Sequence, residues 1–222
     1  MIKLHLFLDI INLIFPKSCY SCKSVLVKNE RVLCLKCYVD LPKHFNRQNI
    51  HQLILSVNGK NYKLYRRYKF QKKSAIQKLI YELKYNNKAY LGEYLGKELY
   101  KNISHLQNVN YIIPVPLHEE KLSQRGYNQS ELIAKGLQQH LKCKLLNDVL
   151  VRKENTVSQT NKSRFHRFEN MAGVFYLTEK KELENKHIIL LDDVFTTGAT
   201  ISECIKVLEQ IRNINITIVC VA

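Results

Sequence analysis

Asp192 and Asp193 are preceded by four aliphatic residues at 188–191 and followed closely by Thr196, Thr197, Gly198, Ala199 and Thr200. Carboxylates accept hydrogen bonds from a diol, whereas hydroxyls, free backbone N–H groups and a helix dipole hold a phosphate. A carboxylate pair repels naked phosphate but suits a sugar diol that carries one. The implied chemistry is capture of a ribose 5-phosphate. A competing reading makes the threonines plain caps of the helix that follows. Either way the surrounding elements are set: 188–191 must be a buried parallel strand with the acidic pair at its carboxyl end, and a helix must begin near Ile201. That edge is where open α/β sheets bind ligands. Neither G-x-x-x-x-G-K-[ST] nor G-x-G-x-x-G occurs, so a P-loop and a dinucleotide fold are not indicated.

A second constellation is Cys19, Cys22, Cys34 and Cys37, spaced C-x2-C-x11-C-x2-C. Each pair can present two thiolates to one tetrahedral ion, and the connection is long enough for a hairpin that joins the pairs. The reading is a structural zinc site, closed to chemistry. Disulfides fit less well with seven cysteines, an odd count, in a chain with no sign of secretion. A redox C-x-x-C lacks a thioredoxin-like βαβ context. Cys143, Cys204 and Cys220 stand singly and read as packing residues.

The 222 residues suffice for one good core and a small appendage. Lys+Arg 35 against Asp+Glu 19, a net charge of +16, favours polyanionic partners: nucleic acid, anionic lipid or phosphorylated metabolites. Part of that excess is compositional, since Lys, Asn and Ile are abundant throughout. The apolar run 2–15 has Asp9 in its middle, no small-x-small cleavage site, and Pro16 directly after it. It is also shorter than the ~20 residues of a membrane span. It reads as a helix docking on the body, with peripheral membrane contact as the alternative. With no targeting segment, the expected location is cytoplasmic.

Between 60 and 88 there are ten Lys/Arg and one acid, Glu82, with Tyr62, Tyr65, Tyr68, Phe70, Tyr81 and Tyr85 interspersed. Cations that track a backbone and rings that stack on bases are the ingredients of single-strand nucleic-acid binding. Lys63, Arg66, Arg67, Lys69, Lys72 and Lys73 are the candidates. The same stretch also reads as a strand over 62–70 with core-facing tyrosines, then a helix capped by Ser74 with the stripe Ile76, Leu79, Ile80 and Leu83. A second helix is expected over 91–101, and a strand over 111–117 that must stop at its prolines. A loop over 118–129 leads to a helix bearing Leu132, Ile133, Leu137 and Leu141. Residues 145–152 and 171–178 read as the second and third core strands. The intervening 153–170 is too long for an ordinary connection and reads as a flap that closes over a phosphorylated ligand. A helix to Arg212 and a last strand over 214–222 complete an alternating α/β core.

The stretch 188–200 resembles the phosphoribosylpyrophosphate (PRPP) motif of type I phosphoribosyltransferases: four hydrophobic residues, two acids, then x-x-T-T-G-x-T. In that family the loop after the first core strand contacts pyrophosphate, which points to Arg125 and Gly126. A capping loop with Arg125 in solvent is the alternative. The chain as a whole resembles the ComF family, specifically its ComFC-type competence proteins. The resemblance rests on Phe15-Pro16, the four cysteines, Leu83-Lys84-Tyr85, Pro114-Val115-Pro116-Leu117 and Arg125-Gly126-Tyr127-Asn128-Gln129. It extends to a flap carrying Arg152, Thr156, Gln159, Arg164, Arg167, Asn170 and Phe175, with Lys162 where the family has leucine.

That resemblance implies an α/β fold, a phosphoribosyltransferase-type (Rossmann-like) parallel sheet with an N-terminal four-cysteine zinc finger. Three parts are expected: 1–45 with the N-terminal helix and finger, 46–105 as a basic connecting region packed on the core, and 106–222 as the phosphoribosyltransferase-like domain. It further implies PRPP with Mg2+ as ligand, Gln159, Arg164 and Arg167 as flap contacts, and single-stranded DNA and the DNA-uptake machinery of natural transformation as partners. Two readings of the activity follow: a DNA-handling protein with PRPP as ligand or signal, or an active transferase displacing pyrophosphate from ribose C1. No catalytic residue is assigned. No C-terminal hood for a nucleobase is expected after the last strand, so the N-terminal region would have to supply one.

Overall fold

The computed structural model describes residues 15–43, 45–46, 49–50, 52–152, 173–178 and 181–222. The expected N-terminal helix over 2–15, save Phe15, and the flap over 153–170 lie outside them. Among the described residues the chain runs through α1 (Leu35–Val39), β1 (Phe45–Asn46), β2 (Asn49–Ile50), β3 (Gln52–Val57), β4 (Lys60–Arg66), α2 (Ala75–Tyr85) and α3 (Tyr90–Ile103). It continues with β5 (Tyr111–Pro114), α4 (Glu119–Arg125), α5 (Gln129–Gln138), β6 (Lys144–Leu145), β7 (Leu150–Arg152), β8 (Phe175–Leu177), β9 (His187–Asp192), α6 (Ala199–Leu208) and β10 (Asn215–Cys220).

Six strands form one sheet in the order β3-β4-β10-β9-β5-β6. Five run parallel, and β3 returns antiparallel on β4 through the hairpin at Asn58 and Gly59. Helices cover both faces, which is why β9 reads as an unbroken aliphatic run rather than an alternation. Ile189 and Leu191 pack with Leu79, Leu83, Leu95, Leu99 and Ile133 on one face. Ile188 and Leu190 pack with Ile201, Cys204, Ile205 and Leu208 on the other. Ser74 caps α2 as expected, its hydroxyl accepting from Gln77 N.

On the first face α3 and α5 touch backbone to backbone. A Cβ at Gly96 would meet Ile133 O and Leu137 N at 2.4 Å, and one at Gly136 would meet Glu93 Cα at 2.6 Å. These glycines permit the approach that sets where α5 begins, and therefore where Ser130 stands.

Two expectations change. Residues 145–152 are not one core strand: Leu145 enters the sheet as part of β6, the chain turns, and β7 leaves it to pair antiparallel with β8 in a separate ribbon. The expected third core strand over 171–178 is therefore the other half of that ribbon. Alternating apolar residues specify a strand but not its partner. The basic connecting region also does more than pack on the core. Its β4 pairs with β10, Lys63 lying opposite Thr217, so it extends the sheet itself.

The cysteine module docks on the first face through Val32, Leu33 and Leu41. Beside it the buried carboxylate of Glu98 receives Tyr68 Oη at 3.0 Å, Arg67 Nη2 at 3.4 Å and the Lys101 amine. A buried charge persists only when it is satisfied in this way. Among the described residues no helix is long and apolar enough to cross a membrane.

Candidate functional site

β9 delivers Asp192 and Asp193 to the carboxyl edge of the sheet, between the ends of β5 and β10. Asp193 is 4 % exposed, and Lys84 from the end of α2 reaches it, Nζ to Oδ2 2.5 Å. Asp192 Oδ1 accepts from the buried Ser130 hydroxyl at 3.0 Å and from Asp193 N at 2.8 Å. Burial, and after it the charge of Asp193, push the Asp192 carboxyl up to about 7, against the pull of those two hydrogen bonds and Lys84. With Lys84 paired to Asp193, the Asp192 carboxyl can change protonation close to neutral pH.

The hydroxyl loop follows. Gly198 is left-handed at φ 78° and starts α6, and a Cβ there would meet the Phe195 ring at 2.9 Å. Phe195 N in turn donates to Ala222 O at 2.7 Å, which ties the loop to the chain after β10. Thr196 and Thr197 are exposed, Gly198 and Ala199 buried, and Thr200 intermediate. The helix therefore opens at Ala199, two residues before Ile201. Thr197 Oγ1 accepts from Ala199 N at 3.4 Å, so part of the capping reading also holds. The exposed hydroxyls and first-turn N–H groups of α6 remain a phosphate-sized cradle.

Across the edge, Asn128 locks the α4–α5 loop. Its Nδ2 donates to Val115 O at 3.0 Å, while its Oδ1 accepts from Ser130 N and caps α5. Gly126 closes α4 in the left-handed region at φ 77°, with nothing within 4 Å of the place a Cβ would take. The Arg125 guanidinium donates to Gln129 Oε1 at 2.9 Å and lies 5.1 Å from the centre of the Tyr85 ring. Helix α4 was read as loop; His118 as cap, Glu119 and Glu120 in the first turn and Gly126 past the end were the available signals.

Sequence reasoning also missed Lys84, Asn128 and Ser130 as parts of this edge, because nothing in their spacing tells that α2 and α5 meet β9. Gln159, Arg164 and Arg167 lie outside the described residues. Arg152, where the expected flap begins, lies beside the Phe175 ring at 5.6 Å, and burial lowers its pKa despite help from Cys204 and Asp192.

The basic candidates are dispersed. Lys63 lines a hollow of about 840 Å3 with Lys60, His187 and Arg212 at the amino ends of the parallel strands. Arg66 lies 5.8 Å from the Phe195 ring, and Lys69, Lys72 and Lys73 are exposed before α2. Arg67 is 6 % exposed and held by Glu98, so burial removes it from any open groove.

At the other end of the molecule the four cysteine Sγ atoms lie within 4.8 Å of one another. Burial opposes ionisation of Cys19, but the backbone N–H groups of Cys22, Cys34 and Ser21 outweigh it and leave the thiol below its ordinary pKa. Such a cluster could hold a metal ion such as zinc.

Residues 128–222, the half that supplies β9, the acidic pair and the hydroxyl loop, match the phosphoribosyl transferase domain family. The chain is 33 % identical over 140 residues to "Competence protein F" of Haemophilus influenzae, covering 60 % of this chain and 61 % of that protein. It is 30 % identical over 139 residues to "DNA utilization protein YhgH" of Escherichia coli O6:H1, 60 % of each. "Competence protein ComFC" of Bacillus subtilis matches at 31 % over 90 residues, 40 % of this chain and 34 % of that one. The matches support the resemblance to the ComF family. Its aligned part spans about three fifths of the length of the first two of these relatives. The chain thus joins a phosphoribosyltransferase-type α/β sheet to a four-cysteine module.

Proposed function

We propose that this ComF-like chain binds PRPP with Mg2+ at the carboxyl edge of its sheet and acts, in the cytoplasm, in handling the incoming single strand during natural transformation. The observation that carries the ligand is the abutment of Asp192 and Asp193 on the Thr196–Thr200 loop at the start of α6. The carboxylates receive the ribose hydroxyls, and the loop receives the 5-phosphate. Arg125 and Gly126 would contact the pyrophosphate, with Gln159, Arg164 and Arg167, which lie outside the described residues, as the further contacts the family resemblance implies. Asp193 is already held by Lys84, so the carboxylates offer no dedicated cage; this suits Mg2+, which keeps its waters and travels on phosphate oxygens. The relatives named for competence and DNA utilization support the wider role.

The cysteine donors fit Zn2+. A tetrahedron with Zn–S bonds of ~2.3 Å has S···S edges of about 3.8 Å, and Cys22 and Cys34 Sγ already lie 3.6 Å apart. Cys19, Cys22, Cys34 and Cys37 hold one ion as a structural staple.

A second reading, an active phosphoribosyltransferase, is favoured by one observation. A carboxyl raised to about 7 is suited to general acid–base work near neutral pH. Titration calorimetry with PRPP, with and without Mg2+, tests the ligand: the wild type binds and Asp192→Asn/Asp193→Asn does not. Wild-type protein that takes up no PRPP in Mg2+ overturns the proposal. Pyrophosphate release in the presence of bases, amines or single-stranded DNA, absent in Asp192→Asn, distinguishes the transferase from the binding protein.

A further inference from the structure

The buried stripe of α2 is complete with Ile76, Leu79, Ile80 and Leu83. Tyr81 and Tyr85, one helical turn apart, are therefore not needed for the core, and they stand 55 % and 60 % exposed. Their ring centres are 4.9 Å apart with planes inclined at 44°, so together they form a continuous aromatic ledge. Lone exposed tyrosines are ordinary, but a contiguous pair bordered by cations is not.

At one end the Arg125 guanidinium covers Tyr85. At the other, Tyr81 borders a hollow of about 450 Å3 that it shares with Tyr20, Lys23 and Lys78. Among the described residues lining that hollow the one acid, Glu82, is engaged by Lys23 at 3.8 Å and by Asn86 at 3.0 Å, which leaves Lys78 as the excess positive charge. The ledge begins where the acidic pair ends, since Lys84, between Leu83 and Tyr85, is the residue that reaches Asp193.

We infer that the Tyr81–Tyr85 ledge is the docking surface for single-stranded nucleic acid, with successive bases stacked on the two rings and a phosphate met by Lys78, whose Nζ also donates to Ser21 O at 2.6 Å. The inference rests on the single-strand role proposed above and moves the contact from the Lys63–Lys73 segment to the outer face of α2. Aromatic faces accept any base and cations track the backbone, so binding is sequence-tolerant.

The test is fluorescence anisotropy of labelled oligothymidylate with the full-length, zinc-loaded protein. Tyr81→Ala and Tyr85→Ala are each expected to weaken binding about ten-fold, the loss of one stacked base. Tyr81→Phe and Tyr85→Phe keep the ring and are expected to bind like the wild type. The slope of affinity against salt is expected to stay unchanged in the alanine variants, because no phosphate contact is lost. Both rings are exposed, and circular dichroism verifies that the variants fold. Wild-type affinity in both alanine variants overturns the ledge while leaving the single-strand role intact. Absence of binding by the wild type overturns that role, and the ledge with it.

Discussion

At the carboxyl edge of the sheet, two like charges are crowded against one lysine inside a well-packed frame. In the cysteine module, four thiols converge from two knuckles while Val25, Val27, Leu35 and Val39 remain more than half exposed. The first region gains its order from elements buried on both sides and stores electrostatic tension where a ligand can relieve it. The second contributes few residues to the core, Cys19, Val32, Leu33 and Leu41, and on the proposed zinc reading the rest of its order comes from the metal. Perturbations of the two regions should therefore differ in kind. The edge should lose affinity while keeping its fold, and the module should lose its fold while the edge keeps its affinity.

The largest effect is expected from the metal. Zinc held by four thiolates is worth on the order of 10–16 kcal/mol of folding free energy in small modules. Chelation or Cys34→Ser should open residues 15–43 to protease, with one zinc per chain found by elemental analysis beforehand. PRPP affinity should survive, and its collapse on chelation would erase the contrast.

Next in size is Asp193→Asn. On the proposed reading it removes a charge-assisted acceptor for the ribose and should weaken PRPP about ten- to hundred-fold by calorimetry, with the fold retained by circular dichroism.

Lys84→Met comes third. Asp193 loses its partner at 6 % side-chain exposure, yet Lys84 is itself 21 % exposed and partly screened. A loss of about 1–2 kcal/mol in urea unfolding is expected.

The last effect is read against pH rather than between variants: the titration of Asp192. Its carboxyl titrates near 7 when folded and near 4 when unfolded. The folded state therefore holds the extra proton between those values, and stability falls as pH rises from about 4 to about 7. Asp192→Asn should flatten that slope and leave the variant the more stable protein at pH 8.

The acidic pair and its threonines were legible in the sequence because they are contiguous and their chemistry is local. The cysteines were legible because their spacing is itself the ligand geometry. Lys84, Ser130 and Asn128 were not, since they meet Asp192 and Asp193 only through the packing of α2 and α5 on β9, and Gly96 and Gly136 revealed nothing until two backbones were seen in contact. The apolar residues of 145–152 announced a strand correctly, yet the turn that sends Leu145 to the sheet and Leu150 to the ribbon left no mark in the alternation. Arg67 looked like its basic neighbours until Glu98, thirty-one positions away, was found beside it.

Lys63 of β4 lies opposite Thr217 of β10. A ribosome adds about 5–20 residues per second, so roughly 8–30 seconds separate the emergence of these two partners. During that interval the β3–β4 hairpin waits with one edge unpaired, and isolated hairpins are marginal in water. β10, the last strand of the sheet to be translated, joins that hairpin to β9. The nascent protein therefore passes through a vulnerable stage that chaperones and low growth temperature should ease, and the hairpin gains its partner only once β10 has emerged.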